Sequence, residues 1–221
     1  MKNKKRFLRL SLLFMGVFLV FAISCDKDGD MNNNNDQGEI IVNSFRDARD
    51  GKFYRTVVIG NQEWMAENLA YAPSSGNYWS YDNDDANVEI YGYLYDWHTA
   101  LDACPLGWHL PTDDEWIELI NYLGDNTGGK LKATGTIESR TGLWLDPNTG
   151  ATNETGFTGF PGGLRDLAGK FGLIGSYGFW GSATESKDNS VWLRELFYGY
   201  DFVGRSTVGK ELGSSVRCLR D

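Results

Sequence analysis

Residues 104–116 read Cys-Pro-Leu-Gly-Trp-His-Leu-Pro-Thr-Asp-Asp-Glu-Trp and lead into the clearest helical pattern of the chain. Thr112 and Glu115 have the spacing of a capping box, which satisfies free backbone N–H groups at a helix start. Pro111 stands just before them and prevents an earlier start. Apolar residues then recur at helical spacing, at Trp116, Leu119, Ile120 and Leu123. The pattern predicts a helix from Thr112 to Leu123.

A shorter helix is predicted just before this stretch, over residues 95–103. Trp97, Ala100, Leu101 and Cys104 fall at positions i, i+3, i+4 and i+7, which lie on one helical face. Because that face is apolar, we expect it to pack inward and to carry Cys104 toward the interior.

The beginning of the folded region has the signature of two hairpins. Asp50-Gly51 can adopt the positive φ angles of a tight turn, and strand-forming residues flank it between Phe45 and Ile59. Gly60-Asn61 predicts a second turn, followed by a strand over residues 62–65.

The rest of the chain reads as long loops and short strands. Residues 72–90 are rich in Ser, Gly, Asn and Asp and predict a surface loop. The acidic residues near position 82 favour a solvated loop over a cation site, because Ala86 and Asn87 break the register of a calcium loop. Further strands are predicted over residues 178–184, 190–197 and 214–219. Two early helices and short antiparallel strands indicate an α+β domain.

The first 25 residues predict export. A basic start and an apolar run of about 14 residues, too short for a membrane-spanning helix, indicate a signal peptide over residues 1–24. The run ends at Ala22-Ile23-Ser24-Cys25, which resembles a bacterial lipobox and predicts acylation of Cys25. An ordinary cleaved signal with an incidental cysteine is the alternative. Residues 25–39 are polar and predict a flexible tether, and the folded domain is predicted over residues 40–221.

Export and acylation have consequences for location and charge. The acidic residues directly after Cys25 resemble the signal that sends Bacteroidetes lipoproteins to the outer face of the outer membrane. Removal of the leader leaves 16 basic and 30 acidic residues, a formal charge of −14. So acidic a chain disfavours both nucleic acid and anionic lipid as partners of its surface. The predicted membrane contact is therefore the N-terminal lipid.

The cysteine count favours one disulfide. If Cys25 carries lipid, Cys104 and Cys218 remain as an even pair in an exported chain. Two free thiols and a metal pair are the alternatives, and a metal pair is poorly supported because His98 and His109 are the chain's only histidines.

Long, ordered motifs carry a family resemblance over roughly residues 45–221. The quoted segments run through Asp47-Ala48-Arg49-Asp50-Gly51-Lys52, Gly60-Asn61-Gln62-Glu63-Trp64-Met65-Ala66-Glu67-Asn68-Leu69, Gly92-Tyr93-Leu94-Tyr95-Asp96-Trp97, residues 104–116, Pro161-Gly162-Gly163 and Ser215-Val216-Arg217-Cys218. They resemble the Fibrobacter succinogenes major paralogous domain.

The resemblance implies a C-type-lectin-like fold, related to the sulfatase-modifying-factor domain. In such folds the chain ends lie together, and a disulfide ties the first helical region to the last strand, in agreement with a Cys104–Cys218 pair. The redox-active cysteine pair of the related enzymes and the calcium-dependent sugar motifs of true C-type lectins are absent. No catalytic residue, metal or cofactor is therefore predicted.

The leading functional hypothesis is a non-catalytic binding module for a glycan or a protein. Eight Trp, 11 Tyr and 12 Phe supply aromatic faces, which stack on sugars and fill protein interfaces. Arg194, Tyr198 and Tyr200 are the predicted ligand contacts. A structural subunit of a surface assembly is the alternative, and an enzyme is the weaker one, because His98 and His109 fit scaffold roles and no nucleophile–base pattern appears.

Overall fold

The computed structural model describes residues 42–187 and 189–221. The predicted signal peptide, the predicted acylated Cys25 and the tether over residues 25–39 lie outside the described residues. Within the described part of the chain, no helix is both long enough and apolar enough to span a membrane.

The described residues contain more strand than helix. The strands are, in chain order, β1 (Val42–Arg46), β2 (Phe53–Ile59), β3 (Gln62–Met65), β4 (Tyr78–Trp79), β5 (Leu94–Tyr95), β6 (Trp108–His109), β7 (Leu164–Arg165), β8 (Phe171–Gly172), β9 (Tyr177–Lys187), β10 (Ser190–Phe197), β11 (Gly204–Gly209), β12 (Ser214–Ser215) and β13 (Leu219–Arg220). The helices are α1 (Val88–Tyr91), α2 (Trp97–Ala103), α3 (Asp113–Leu123) and α4 (Thr127–Leu131). This mixed content confirms the predicted α+β class.

The first sheet contains both predicted hairpins. Its strand order is β1-β2-β3-β13-β6. The connection between β1 and β2 is longer than the predicted tight turn: it spans residues 47–52, and of Asp50-Gly51 only Gly51 takes a positive φ, 81°. The second turn is confirmed, because Ile59 pairs with Gln62 and leaves two residues between β2 and β3. The last strand of the chain lies beside β3, so the two ends of the domain share one sheet.

The second sheet has the order β11-β10-β9-β12-β5-β4. The predicted strands over residues 178–184 and 190–197 are confirmed and form the long antiparallel pair β9–β10. The predicted strand over residues 214–219 is divided in two, since β12 belongs to this sheet and β13 to the first. The intervening residues 216–218 cross from one sheet to the other and are buried.

Helix α3 forms as predicted, with the capping box of Thr112 and Glu115 in place. The predicted face of α2 is wrong. Leu101 is 39% exposed, whereas Thr99, Ala100 and Ala103 are buried. Helical spacing could not fix the direction of Cys104 either, because this residue follows the helix in an extended conformation.

The structure also differs from the prediction at residues 72–90 and at strand β11. Residues 72–90 are not only loop, since they carry β4, helical turns at Tyr81–Asn83 and Asp85–Asn87, and α1. Strand β11 was missed, because its sequence, Gly-Arg-Ser-Thr-Val-Gly, has no alternating apolar pattern.

The core consists of two apolar clusters. One surrounds Trp64, Trp116 and Trp180, and the other surrounds Tyr95 and Cys218. The predicted disulfide is confirmed: Cys104 and Cys218 are joined, with their Cα atoms 5.9 Å apart. It links the end of α2 to the segment that enters β13.

Candidate functional site

A row of aromatic rings lies at one end of the β9–β10 pair. Tyr177 begins β9, and its partner across the pair is Phe197 at the end of β10. The loop that follows β10 adds Tyr200 and Phe202. We call Tyr177, Phe197, Tyr200 and Phe202 the aromatic surface.

Successive rings of the aromatic surface are in contact. The ring centroids of Tyr177 and Phe197 are 4.5 Å apart, and those of Phe197 and Tyr200 are 5.0 Å apart. Tyr200 and Phe202 stack at 5.0 Å with an interplanar angle of 16°. These two rings are 53% and 54% exposed, so the nearly parallel pair presents apolar surface to solvent.

A buried lysine fixes the loop that carries these rings. The ammonium group of Lys132 donates to the carbonyl oxygens of Thr149 at 2.8 Å, Phe197 at 3.2 Å and Tyr200 at 2.8 Å. Lys132 itself is fully buried, and desolvation lowers its pKa to about 8. At neutral pH the ammonium is therefore still charged and ties three backbone segments together.

Backbone contacts further restrict this loop. The N–H of Thr149 donates to the carbonyl of Tyr198 at 2.8 Å, and the N–H of Gly129 donates to the carbonyl of Asp201 at 3.1 Å. Gly199 has no side chain, and a Cβ at that position would collide with the ring of Phe197. The exposed rings therefore belong to a loop whose conformation is restricted by the hydrogen bonds of Lys132 and of its own backbone. This restriction lowers the conformational entropy that is lost when a ligand binds.

The family of the chain follows from its sequence. A sequence model of the Fibrobacter succinogenes major domain matches residues 57–220. The chain belongs to this family. The matched range includes both joined cysteines, Lys132 and the whole aromatic surface. No curated protein and no solved structure matches the chain significantly.

Arg194 is not part of the exposed surface of this Fibrobacter succinogenes major domain, and its predicted role as a ligand contact needs correction. It is 3% exposed, and its guanidinium pairs with the carboxylate of Asp113. The physical reason is that β10 is covered on both faces: Leu193 and Arg194 point to opposite faces and are both buried, and Asp113 of α3 lies against the face of Arg194.

The two predicted tyrosines occupy different environments. Tyr198 is partly buried and packs against the cluster around Trp180. Tyr200 is exposed and belongs to the aromatic surface. Sequence reasoning missed Tyr177 and Phe197, because only the register of β9 on β10 brings them together. Phe202 could have been predicted from its position two residues after Tyr200, whereas no sequence pattern indicated the role of Lys132.

His109 lies between two carboxylates from different parts of the chain. The ring nitrogens of His109 lie 2.7 Å from Asp221 Oδ1 and 3.0 Å from Glu115 Oε1. Despite partial desolvation, the hydrogen bonds and charges of these two carboxylates raise the pKa of His109. Since both ring nitrogens are engaged, this histidine fastens the end of the chain to α3.

The structure gives no support to a cation site near residue 82. In the segments that it describes, no group of three or more His, Cys, Asp or Glu side chains is placed to hold a metal ion. The side chain of Asp84 instead accepts from the backbone N–H of Ala86 at 3.0 Å, which caps a helical turn.

Proposed function

We propose that this protein is a cell-envelope lipoprotein that displays its family domain as a non-catalytic binding module for a glycan or a protein. The observation that carries the proposal is the stacked, half-exposed pair Tyr200 and Phe202 on a loop fixed by Lys132. Exposed aromatic faces on a preorganised loop are typical of binding surfaces. Exposed apolar side chains that lie together, rather than singly, mark interaction sites.

The proposal includes a C-type-lectin-like fold for the domain. Two observations support it. The last strand, β13, pairs with β3 beside the first hairpin, and the Cys104–Cys218 bridge ties the first long helical region to the end of the chain.

The aromatic surface is tested by replacing Tyr200 and Phe202 together with alanine. We expect the double variant to lose at least about tenfold in affinity, because truncation of central aromatic contacts commonly costs 1–2 kcal/mol or more each. Binding of full-length protein is measured on a broad glycan array and on immobilised envelope proteins from the same cells. The array on which the wild-type protein binds shows whether its ligand is a glycan or a protein.

A matched control keeps this experiment specific. Phe53 is 70% exposed on β2 of the first sheet, and Phe53→Ala removes one aromatic ring without touching the aromatic surface. It should bind as the wild type does. If the double variant retains every wild-type signal, the aromatic surface is not the contact.

The anchoring part of the proposal places the protein in the outer membrane, facing the cell exterior. We expect Cys25→Ala to move the protein from the membrane fraction to the soluble fraction, since several acyl chains at about 0.8 kcal/mol per buried methylene supply the attachment. Cell fractionation followed by immunoblotting measures the shift, and protease added to intact cells reports the exterior location. A Cys25→Ala protein that stays in the membrane fraction would contradict lipid anchoring.

A further inference from the structure

Strand β11 is an edge strand directly beside the aromatic surface. It lies at one end of the second sheet and pairs only with β10 there. Among the described residues, the backbone groups of residues 204–208 make no hydrogen bonds outside this pairing. An open edge of five residues is a template onto which another extended chain can pair.

The one charged side chain of this edge is held over a face of the sheet. Native edge strands are blunted by proline or by protruding lysine and other charges. The charged residue of β11 is Arg205, but its guanidinium pairs with Asp113 at 2.7 Å and lies 3.2 Å above the ring of Trp192. Asp113 also pairs with Arg194, so it does not neutralise Arg205, but these contacts hold the guanidinium away from the backbone groups of the edge.

A carboxylate reaches over the strand from its neighbour. Glu195 on β10 lies opposite Gly204 on β11. Because Gly204 has no side chain, the Glu195 side chain occupies the space above it, and a Cβ at Gly204 would lie 2.6 Å from Glu195 Oε1. The carboxylate thus extends toward the edge of the sheet. Within the described residues, Glu195 makes no ion pair.

The same carboxylate is next to the aromatic surface. Burial and the nearby charge of Glu195 raise the pKa of Tyr177. Phe197, two residues after Glu195, lies on the same face of β10. The edge strand, the carboxylate and the exposed rings consequently form one continuous surface.

We propose that β11 accepts an extended, basic segment of a partner protein by strand addition, with a lysine or arginine opposite Gly204 in contact with Glu195. This inference rests on the proposed function and selects protein as its ligand class. Charge complementarity identifies the occupant, since the sequence is strongly acidic and, among the described residues, Glu195 accepts from the Ser206 hydroxyl at 3.4 Å but pairs with no cation. A second copy is a poorer occupant, because two chains of the same strongly negative net charge repel each other.

The test uses detergent-solubilised full-length protein and a display library of random decapeptides. We expect selected peptides to be enriched in lysine or arginine flanked by strand-forming residues. One selected peptide is then studied by hydrogen–deuterium exchange with mass spectrometry. Strand addition should slow exchange in residues 204–208, because outward amides gain hydrogen bonds. A ligand held by the aromatic rings alone would leave these amides unprotected.

Charge variants test the role of the carboxylate. Glu195→Gln keeps the shape of the side chain and removes its charge. It should lower the affinity for the basic peptide by about fivefold at low salt, which is the upper range for a solvent-accessible ion pair. Glu118→Gln removes the same charge from the exposed face of α3 and should have no effect.

Two outcomes overturn the inference: selected peptides without basic enrichment, or bound peptide that leaves residues 204–208 unprotected. These outcomes are separable from failure of the proposed function. If a ligand requires Tyr200 and Phe202 but does not slow hydrogen–deuterium exchange in β11, the proposed binding module is supported and strand addition is refuted. If the alanine double variant binds every ligand normally, the aromatic surface falls instead.

Discussion

Replacing Cys104 and Cys218 together with alanine is expected to lower the free energy of unfolding by about 4 to 5 kcal/mol. The bridge spans 114 residues of sequence, and it restricts the unfolded chain over most of the folded domain. In the chain-entropy description, closing a loop of about 100 residues stabilises the folded state by about 4.7 kcal/mol. For a domain of this size, such a loss lowers Tm by roughly 10 to 15 °C.

Alanine is the suitable replacement because Cys218 is fully buried and a serine hydroxyl there would lack a partner. Thermal and urea unfolding should be followed with and without reductant. Reductant should lower the stability of the wild type toward that of the double variant and leave the double variant unchanged. The urea m value should rise in the variant, since its unfolded chain exposes more surface. An unchanged Tm would contradict a stabilising role for the bridge.

Replacing Arg217 with alanine is expected to cost about 5 kcal/mol of folding free energy, because it strips hydrogen bonds from several buried acceptors. Arg217 is 1% exposed and lies next to Cys218. Its guanidinium donates to the side-chain oxygen of Asn68 at 2.7 Å and to the backbone carbonyls of Met65, Phe157 and Thr158. It also lies 4.3 Å from the ring centroid of Phe157.

The charge of Arg217 makes this site unusual. No carboxylate contacts the guanidinium among the described residues, and burial lowers its pKa to about 9. The group is nonetheless charged at neutral pH, held by carbonyl dipoles and aromatic faces. Removing it opens a cavity and takes a donor away from acceptors in two chain segments, residues 65–68 and 157–158. We therefore expect a loss far above that of an ordinary substitution.

A neighbouring arginine provides the matched control. Arg220 lies three residues further on, pairs with Glu63 at 2.7 Å and has a side chain that is 59% exposed. Arg220→Ala should cost no more than about 1 kcal/mol, as exposed ion pairs do. Arg217→Lys retains the charge but not the planar fork, so its stability should fall between those of the wild type and Arg217→Ala. Equal destabilisation by the two alanine variants, measured by urea unfolding, would contradict the argument.

Sequence reasoning succeeded where structure is governed by near neighbours. Helix α3 begins at its capping box, and the first two hairpins form where predicted, with Gly51 in the first connection and Gly60-Asn61 as the second turn. These turns and caps depend on residues a few positions apart. The disulfide was also predictable, although from counting cysteines in a chain that was expected to be exported rather than from geometry.

Sequence reasoning failed where a partner distant in sequence decided the outcome. Arg194 was assigned to a ligand surface because its distant partner, Asp113, was not known to lie beside it. Strand β11 was missed because its pairing with β10, and not its own composition, makes it a strand. The face of α2 was misjudged because the surrounding packing, which leaves Leu101 exposed, was not visible in the helical spacing.

The sequence by itself determined the α+β class, the main helix, the two hairpins, the pairing of the folded-domain cysteines and membership of the Fibrobacter succinogenes major domain family. The tertiary structure alone decided which aromatic rings meet at the surface, that Lys132 fixes the loop beneath them, and that Glu195 reaches the open edge of β11. The reason is the separation in sequence between the residues that interact. Caps, turns and helical periodicity depend on contacts between near neighbours, whereas a binding surface is assembled by sheet register and packing between residues far apart in the chain.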